Sequence, residues 1–582
     1  MTSLASGTPI ASKLDMQHRL FAELSAMFGR EVPLYDKSLL VNRACNATVC
    51  ALLGRIHPGF RASDAEIDRA SGERHGAIRI GRADEYRWVC RLFACFAMEP
   101  HDFYDMTAVG AKSQPMIATA FRSVVDPEHR VFASLLMTDY FEAGMRGRIE
   151  AALAGRTIFG ERARQLIERS ERNGGLAWSE ASELISECTS RIFKWTGEAH
   201  DHALYRDLVD GGFKIAADIA CFDSLHLNHL TPNTLCMDLY TAAMKRCLGE
   251  VDRGWFESRA CAVLGRLAHR LWADSRGDWM LLHFKQLSTA DIAALSRAQV
   301  DGPEIAGLAR ALADELDGDK FSLEGIVHAG SKGLTEGPSE DTPVFLRQDA
   351  YRALTEPVAF RESDGSVVHA THTARFGEIE ERFYACTPAG RRLYDACLLR
   401  ADEIRERDPE LPKQDPAQYE AAYAAAFLPF PKSVPELVAA GLCHARFRAT
   451  DAGIAARDAG VELPCDAMEL VRRGFAALEG LRYEDFLPVS AAGIFASNLQ
   501  QYGTRSTASV KPAYSRALIE EILGKSVVEP ALVYAGIEAE TRLETLDRLG
   551  VLARIDAGER TEYERRVAAL RAVLASCGIK AG

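Results

Sequence analysis

Three short segments of this chain, far apart in sequence, each carry residues that can bind a transition metal. They are Glu73-Arg-His-Gly-Ala-Ile-Arg-Ile-Gly81, Leu225-His-Leu-Asn-His-Leu-Thr-Pro-Asn233 and Phe376-Gly-Glu-Ile-Glu-Glu-Arg382. Each segment is typical of a short β-strand, in which every second side chain points to the same side. Two histidines and one carboxylate that meet in one cavity form the ligand set of non-haem Fe(II) oxygenases. The chain is therefore expected to fold around a site built from distant strands.

The first two segments contain three histidines. His226 and His229 are three residues apart, so on a strand they face opposite sides and only one of them can be a ligand. In the first segment, His75 and Arg79 share one face. The planar guanidinium of Arg79, expected roughly 6–7 Å along the strand, suits a substrate carboxylate. Strand alternation alone leaves the choice between His226 and His229 open.

The third segment offers three carboxylates for one ligand position. Glu378 and Glu380 share a strand face, whereas Glu381 points to the other side. The alternative interpretation is a solvated acidic strand end, with no ligand at all. A similar pair, His369 and His372, has ligand-like spacing but is expected on a polar, exposed strand with no further ligand nearby.

Composition excludes several other classes of protein. The 582 residues carry a formal charge of −13, which argues against a general nucleic-acid surface because phosphate binding requires clustered Lys and Arg. No apolar run reaches the length of a membrane span, and the N-terminus lacks the pattern of a signal peptide. The 14 cysteines include no Cys-x-x-Cys pair, which favours reduced thiols and a cytoplasmic location.

Four stretches of the chain resemble the 2-oxoadipate dioxygenase/decarboxylase family of the vicinal-oxygen-chelate superfamily. They are Arg74-His-Gly-Ala-Ile-Arg79, Leu227-Asn-His-Leu-Thr-Pro232, Arg375-Phe-Gly-Glu-Ile-Glu-Glu-Arg382 and Tyr483-Glu-Asp-Phe-Leu-Pro-Val-Ser-Ala-Ala-Gly-Ile-Phe495. Their order and wide spacing are similar to those of the family, over most of the chain. The resemblance implies an α+β fold, in which a vicinal-oxygen-chelate-like curled β-sheet core surrounds a metal and many helices wrap the outside.

The resemblance also selects among the candidate ligands. His229 opens His-Leu-Thr, which is similar to the metal histidine of 4-hydroxyphenylpyruvate dioxygenase, a distant member of the superfamily. Glu378 precedes Arg382 by four residues, as the metal glutamate of that enzyme precedes an arginine. The implied Fe(II) ligands are therefore His75, His229 and Glu378, with His226 and Glu380 as reserves.

The implied reaction converts 2-oxoadipate and O2 to 2-hydroxyglutarate and CO2, a step of lysine catabolism. The metal ligands His75 and His229 would contact the substrate, together with Arg79 and with Val489 and Ser490 in the last motif. Two alternatives remain: the same mechanism on a different 2-oxo acid, or a non-catalytic ligand-binding or adaptor protein that keeps the fold. The expected partners are a small 2-oxo acid and O2, with no nucleic acid and no membrane.

The resemblance suggests three parts of the chain. Residues 1–244 form the N-terminal part of the oxygenase core with two ligands, and residues 326–582 form its C-terminal part with Glu378, the 483–495 substrate loop and closing helices. Between them, 245–325 reads as a helical insertion, because the family passes sooner from the second histidine motif to the next segment. The role of the insertion and the oligomeric state stay open.

Overall fold

A computed structural model defines the architecture of the chain. It describes residues 9–108, 113–123, 129–274, 277–284, 287, 289–324, 326, 347–350, 353–381, 385–481, 505–510 and 512–576. The strands within these ranges are β1 (Glu73–Ile80), β2 (Met98–Asp105), β3 (Met116–Ser123), β4 (Arg130–Leu136), β5 (Glu198–His200), β6 (His229–Pro232), β7 (Arg347–Ala350), β8 (Thr355–Arg361), β9 (Val367–Thr373), β10 (Glu378–Glu381), β11 (Ala445–Ala449) and β12 (Ala476–Gly480).

Helices make up most of the rest of the described chain. They are α1 (Lys13–Glu31), α2 (Pro33–Ile56), α3 (Asp64–Ala70), α4 (Ala83–Ala94), α5 (Ala143–Ala154), α6 (Glu161–Asn173), α7 (Trp178–Glu187), α8 (His202–Asp210), α9 (Lys214–Cys221), α10 (Met237–Cys247), α11 (Arg253–Ala273), α12 (Asp278–His283), α13 (Thr289–Ala294), α14 (Gly302–Leu316), α15 (Pro388–Arg407), α16 (Leu411–Gln414), α17 (Pro416–Ala426), α18 (Val434–Ala439), α19 (Asp451–Asp458), α20 (Ala467–Arg472), α21 (Arg516–Leu523), α22 (Pro530–Arg548) and α23 (Ala557–Ser576). Among the described residues, none of these helices combines the length and the apolar character needed to span a bilayer.

The central element is a five-stranded sheet in the order β2-β3-β4-β1-β6. β1 runs parallel to β4, and the other neighbouring pairs are antiparallel. One face carries apolar side chains such as Ile78, Phe121 and Val131, which pack in one core with residues of α1 and α4. The opposite face carries the small side chain of Ala77 beside Phe132, in a second core. Both faces of the sheet are therefore covered, as its almost fully buried strands require.

The sheet continues beyond β6 toward β10, which pairs with β7. A parallel bridge joins Asn233 to Glu380, and the Thr234 N–H donates to the Glu380 carbonyl at 2.9 Å. Further upstream, the Phe376 N–H donates to the Asn228 carbonyl at 3.1 Å. This curled arrangement of β1, β6 and β10 beneath many helices confirms the predicted α+β class.

Local sequence patterns outside the three ligand segments agree with the structure only in part. The runs 116–121 and 131–136, separated by a turn-like Asp-Pro-Glu, predict a strand pair, which is present as β3 and β4. The apolar spacing of residues 83–100 predicts a helix, but the helix ends at Ala94, and Ala97, with φ 56°, turns the chain into β2. The sequence of 390–480 predicts helices, but this stretch also contains β11 and β12, a two-stranded sheet. Strands of five residues carry too little periodicity to be separated from helix by pattern alone.

The segment 245–325 packs on the rest of the chain. Its helices α11 and α14 contact each other and α2. Leu264 of α11 and Leu312 of α14 belong to the same buried cluster as Leu52 of α2. The helical content expected for this segment is present, and its helices contribute to the largest core described in the structure.

Candidate active site

The register of β1 and β6 brings the first two predicted ligands to one face of the sheet. His75 lies opposite Thr231, and Ala77 lies opposite His229. Residues directly opposite each other in an antiparallel pair have side chains on the same side. β10 continues the sheet beside β6 and adds Glu378 to this face, so three segments that are distant in sequence meet at one point.

The side chains of His75, His229 and Glu378 form a compact buried cluster. Their potential ligand atoms all lie within 4.8 Å of one another, the only such group of His, Cys, Asp and Glu found among the described residues. The Nε2 atoms of His75 and His229 each lie 3.4 Å from Glu378 Oε2. Two histidines and a carboxylate in this arrangement fit a divalent transition metal.

The protonation states suit a metal as well. Burial lowers the pKa of His229 to about 4, although the Glu378 charge opposes the shift, so the ring is neutral at pH 7. Burial alone would raise the pKa of the Glu378 carboxyl. The nearby His229 and His75, together with a hydrogen bond from Thr231, outweigh burial and hold that pKa below its usual value. A neutral imidazole and an ionised carboxylate are the forms that bind metal.

The described residues do not satisfy every polar atom of the cluster. Glu378 Oε1 and His229 Nδ1 are buried and have no hydrogen-bond partner within the described part of the chain. A buried carboxylate oxygen without a partner is costly unless a ligand or a metal completes its environment. The His229 ring is held by stacking on Phe376, with the ring centroids 5.1 Å apart. These observations support a metal held between the three side chains.

Glu380, the reserve ligand, lies behind His75. Its Oε2 is 3.1 Å from His75 Nδ1, and Arg130 Nη2 donates to both of its oxygens at 3.0 and 3.1 Å. Arg130 Nη2 also lies 2.9 Å from His75 Nδ1. Because an arginine can only donate, Nδ1 accepts in that contact. A ring that binds metal through Nε2 would instead carry its proton on Nδ1 and donate it to Glu380, and Arg130 would then donate to Glu380 alone. Such a carboxylate partner fixes the tautomer and orientation of a ligand histidine.

Thr231 is a residue of this site that sequence reasoning did not single out. Its hydroxyl donates to Glu378 Oε2 at 2.9 Å and lies 3.0 Å from His75 Nε2. The signal was present in His229-Leu-Thr231, because alternation puts the threonine on the same face as the ligand histidine.

Arg79 lies on the same face as His75 and is almost fully buried. The two residues are four positions apart, which corresponds to about 13 Å of strand, so the expected separation of 6–7 Å is wrong. That shorter distance applies instead to the step from Ala77, the register partner of His229. Arg79 Nη1 donates to Asp218 Oδ2 at 2.5 Å, a buried ion pair that the sequence did not predict.

The other reserve ligand, His226, lies outside the metal cluster and before the start of β6. Its Nε2 is 3.1 Å from Asp218 Oδ1. The expectation for His372 is wrong: its side chain is buried, and Nε2 lies 2.9 Å from the same oxygen of Asp218. The proposed solvated strand end is also wrong, because Glu378, Glu380 and Glu381 are each no more than 1% exposed.

Val489 and Ser490 lie outside the described residues, as does Arg382. The structure therefore brings together His75, His229 and Glu378, with Arg79 on the same face.

Three comparisons place this chain among known proteins. A family model described as 2-oxoadipate dioxygenase/decarboxylase matches residues 20–251 and 315–498. A protein of that name from Pseudomonas putida is 33% identical over 89% of this chain and 93% of its own length. Another from Escherichia coli is 31% identical over 91% of this chain and 96% of its own.

The solved structures agree with the sequence matches. A hydroxyglutarate synthase from Pseudomonas putida, crystallised in complex with 2-oxoadipate, has a TM-score of 0.64 and 29% identity. It covers 94% of this chain and 100% of its own. An α+β protein with a buried site of two histidines and one glutamate is thus related to named oxygenases. The chain belongs to the 2-oxoadipate dioxygenase/decarboxylase family.

Proposed function

We propose that this protein is an Fe(II)-dependent dioxygenase that decarboxylates 2-oxoadipate with O2 to give 2-hydroxyglutarate and CO2. The observation that carries the proposal is the buried cluster of His75, His229 and Glu378. The names of the relatives, and the 2-oxoadipate complex of the hydroxyglutarate synthase, support the choice of substrate. A role in lysine catabolism and a cytoplasmic location stay predictions from the sequence.

The reaction balances without a further reductant. One C–C bond of the 2-oxo acid breaks to release CO2, and both atoms of O2 are incorporated, one in the new carboxylate and one in the new hydroxyl. The substrate supplies the electrons that other oxygenases take from a separate 2-oxo acid. His75, His229 and Glu378 would hold Fe(II), which when bound supplies the redox chemistry that side chains lack.

The protein groups around the cluster have distinct tasks in this proposal. Glu380 keeps the proton of the His75 ring on Nδ1, and Thr231 orients the Glu378 carboxylate. Arg79 binds the distal carboxylate of the substrate, since a guanidinium fork suits a carboxylate better than a point charge does. The near-complete burial of these groups excludes water and strengthens each electrostatic contact.

The test is turnover by protein purified without oxygen and loaded with Fe(II). Addition of 2-oxoadipate and O2 should consume O2 and release CO2 and 2-hydroxyglutarate in equal amounts. Protein loaded with Mn(II) or Co(II) serves as a metal control, since this ligand set discriminates poorly by affinity alone.

A panel of 2-oxo acids that differ in length and terminal group tests the substrate. Turnover of apolar or aromatic acids but not of 2-oxoadipate would reject the substrate and keep the mechanism. No O2 consumption with any 2-oxo acid, together with no stoichiometric metal after Fe(II) incubation, would favour the ligand-binding alternative.

Two further predictions belong to this proposal. Val489 and Ser490 are proposed to contact the substrate through the 483–495 loop. Residues 245–325 are proposed to be an insertion into a core formed by 1–244 and 326–582; the family model leaves 252–314 unmatched, which supports the boundary.

A further inference from the structure

Asp218 is the only charged residue in a buried, otherwise apolar stretch of helix, Ile215–Cys221. It lies in α9, whose sequence is Lys-Ile-Ala-Ala-Asp-Ile-Ala-Cys and whose residues from Ile215 to Cys221 are all buried. An ionised carboxylate in such a place is very costly unless several partners compensate its charge. The position of Asp218 therefore requires an explanation beyond the packing of this helix.

Both oxygens of Asp218 are occupied. Oδ2 accepts from Arg79 Nη1 at 2.5 Å and lies 3.4 Å from Asn228 Nδ2. Oδ1 lies 2.9 Å from His372 Nε2 and 3.1 Å from His226 Nε2. Burial opposes ionisation, but His226, Arg79 and the hydrogen bond from His372 hold the pKa of Asp218 well below its usual value. The carboxylate is thus ionised; three side chains hydrogen-bond to it, and His226 lies within ion-pair distance.

His372 is itself held in place. Its Nδ1 lies 2.9 Å from the hydroxyl of Tyr205, and its ring contacts Trp195 and Phe222 at centroid distances of 5.9 and 4.8 Å. When the Tyr205 hydroxyl donates to Nδ1, the proton of a neutral His372 ring lies on Nε2 and points at Asp218. The chain Tyr205–His372–Asp218–Arg79 is a continuous series of hydrogen bonds ending on the face that carries the metal cluster.

The last member of this series, Arg79, lies two residues along β1 from Ala77, which is opposite His229. A long arginine side chain loses considerable conformational freedom when it is held in one geometry. If Asp218 holds the Arg79 side chain before the substrate binds, part of this loss of conformational freedom does not count against substrate binding. On this face of β1, only the small side chain of Ala77 separates His75 from Arg79.

We propose that Asp218, supported by His372, is the positioning residue that aims the Arg79 guanidinium at the distal carboxylate of the substrate. The pair thereby sets the selectivity for dicarboxylic over monocarboxylic 2-oxo acids. This inference rests on the proposed function, because it requires a 2-oxo acid bound with its other end at Arg79.

The test compares two substrates of equal carbon number. 2-Oxoadipate has a distal carboxylate, and 2-oxohexanoate ends in a methyl group. The ratio of their kcat/KM values, 2-oxoadipate over 2-oxohexanoate, measures how strongly the enzyme prefers the substrate with a distal carboxylate, and therefore how well Arg79 is positioned to bind it. Asp218→Asn should lower this ratio about 10-fold or more, mainly through the KM for 2-oxoadipate, as expected for loss of a charge contact that discriminates substrates.

The His372 variants test the same idea with a smaller perturbation. His372→Phe removes the donor to Asp218 and should lower the ratio about 3- to 10-fold, as expected for loss of one hydrogen bond to a charged group. His372→Gln retains an N–H donor and should restore part of the loss. A purely structural role would reduce kcat/KM for both substrates equally and leave the ratio unchanged, which would overturn the proposal.

Glu538→Gln is the matched control. Glu538 also lies between a histidine and an arginine, with His444 Nδ1 at 2.8 Å and Arg542 Nη2 at 3.0 Å. It is on α22, which packs on β11 and α23. Loss of this charge should change stability but not the substrate ratio.

The results that would refute the proposed function differ from those that would refute this inference alone. If unmodified protein does not turn over 2-oxoadipate, the proposed function fails. If it does, and Arg79→Met lowers the ratio while the Asp218 and His372 variants do not, only this inference fails. If Asp218→Asn does not fold, the two His372 variants decide the matter.

Discussion

Two buried clusters, one around Asp218 and one around Glu378, each combine a carboxylate with histidines but differ in how fully the two carboxylate oxygens are satisfied. In the Asp218 cluster, both carboxylate oxygens have protein partners, namely Arg79, Asn228, His226 and His372. In the Glu378 cluster, Oε1 has no hydrogen-bond partner among the described residues, although the side chain is 1% exposed.

We interpret this difference as one of role: the Asp218 cluster holds side chains in position, and the Glu378 cluster binds a ligand. A carboxylate with hydrogen bonds to both oxygens can hold its partners in one geometry, as we propose that Asp218 holds Arg79. An incomplete set of convergent, correctly protonated ligand atoms leaves a position for something that the described residues do not supply. The same residue types therefore have opposite roles, and the number of satisfied oxygens distinguishes them.

The largest expected effect is on the incomplete cluster. Glu378→Gln replaces the only anionic member of the proposed metal site by a neutral amide of equal size, so stoichiometric Fe(II) binding should be lost. Activity on 2-oxoadipate should fall by at least about 1,000-fold, because the metal supplies the redox chemistry. Iron content by elemental analysis and O2 consumption measure the two effects. Retention of one iron per chain with full activity would contradict the assignment of Glu378.

Arg79→Met should affect the Asp218 cluster. Loss of the guanidinium should weaken 2-oxoadipate binding by roughly 2–4 kcal/mol, the range for losing one partner of a buried charge pair. Metal content should be unchanged, because no ligand is altered. Arg79→Met should also lower the free energy of unfolding by about 3–5 kcal/mol, because the buried charge of Asp218 then lacks this partner.

Arg79→Lys is the matched variant, and it should recover only part of the binding. Substrate titration and denaturant unfolding measure the two effects separately. If Arg79→Met binds 2-oxoadipate as tightly as unmodified protein, the distal carboxylate is held elsewhere.

Glu380→Gln should have an intermediate effect on the metal. Glu380 does not bind the metal in our proposal but accepts from His75 Nδ1, and loss of such a partner lowers metal affinity by about 10- to 100-fold. Glu381→Gln is the control on the same strand: Glu381 is also buried, but its Oε2 lies 3.4 Å from the Met237 nitrogen instead. Metal titration should separate the two variants, and equal affinities would show that Glu380 has no such role.

Much of the Glu378 cluster could be predicted from the sequence, and almost none of the Asp218 cluster. His75, His229 and Glu378 lie in strand-like segments whose alternation defines a face, and the family resemblance selects among their neighbours. The Asp218 partners Arg79 and His372 lie 139 and 154 residues away. A single aspartate in an apolar helix contains no signal for such distant contacts.

His372 shows how tertiary packing changes a local pattern. The strand Val-Val-His-Ala-Thr-His-Thr has mostly exposed or partly exposed residues, as expected, but its end at His372 is covered by Tyr205 and Phe222. Arg130 was missed for another reason. Its position beside His75 follows from the parallel pairing of β1 and β4, and parallel pairing of strands so far apart cannot be read from either strand alone.

Asp395 tests whether an unsatisfied carboxylate oxygen is by itself enough to make a metal site. Its carboxyl lies in α15, and Oδ1 has no hydrogen-bond partner among the described residues. Burial raises the pKa of Asp395 to about 6, against the opposing charge of Arg391. It belongs to no group of three or more potential metal ligands among the described residues. An unsatisfied oxygen without convergent histidines should therefore mark a destabilising group and not a metal site.

The pH dependence follows from the direction of this shift. A carboxyl whose pKa is raised in the folded state binds more protons there than in the unfolded state, so its ionisation opposes folding. The cost is absent below about pH 4, grows between about pH 4 and 6, and is complete above that range. Asp395→Asn should then raise the free energy of unfolding at pH 8 by about 1–2 kcal/mol, after a discount for partial exposure. The gain should vanish near pH 4 and leave the iron content unchanged.

Asp402→Asn, on the same helix, removes a carboxylate that Arg405 contacts at 3.1 Å, and it should give no gain at pH 8. Denaturant unfolding at both pH values distinguishes the two variants. If Asp395→Asn instead lowered the iron content, incomplete satisfaction alone would be enough to bind metal, and the contrast between the two clusters would need another explanation.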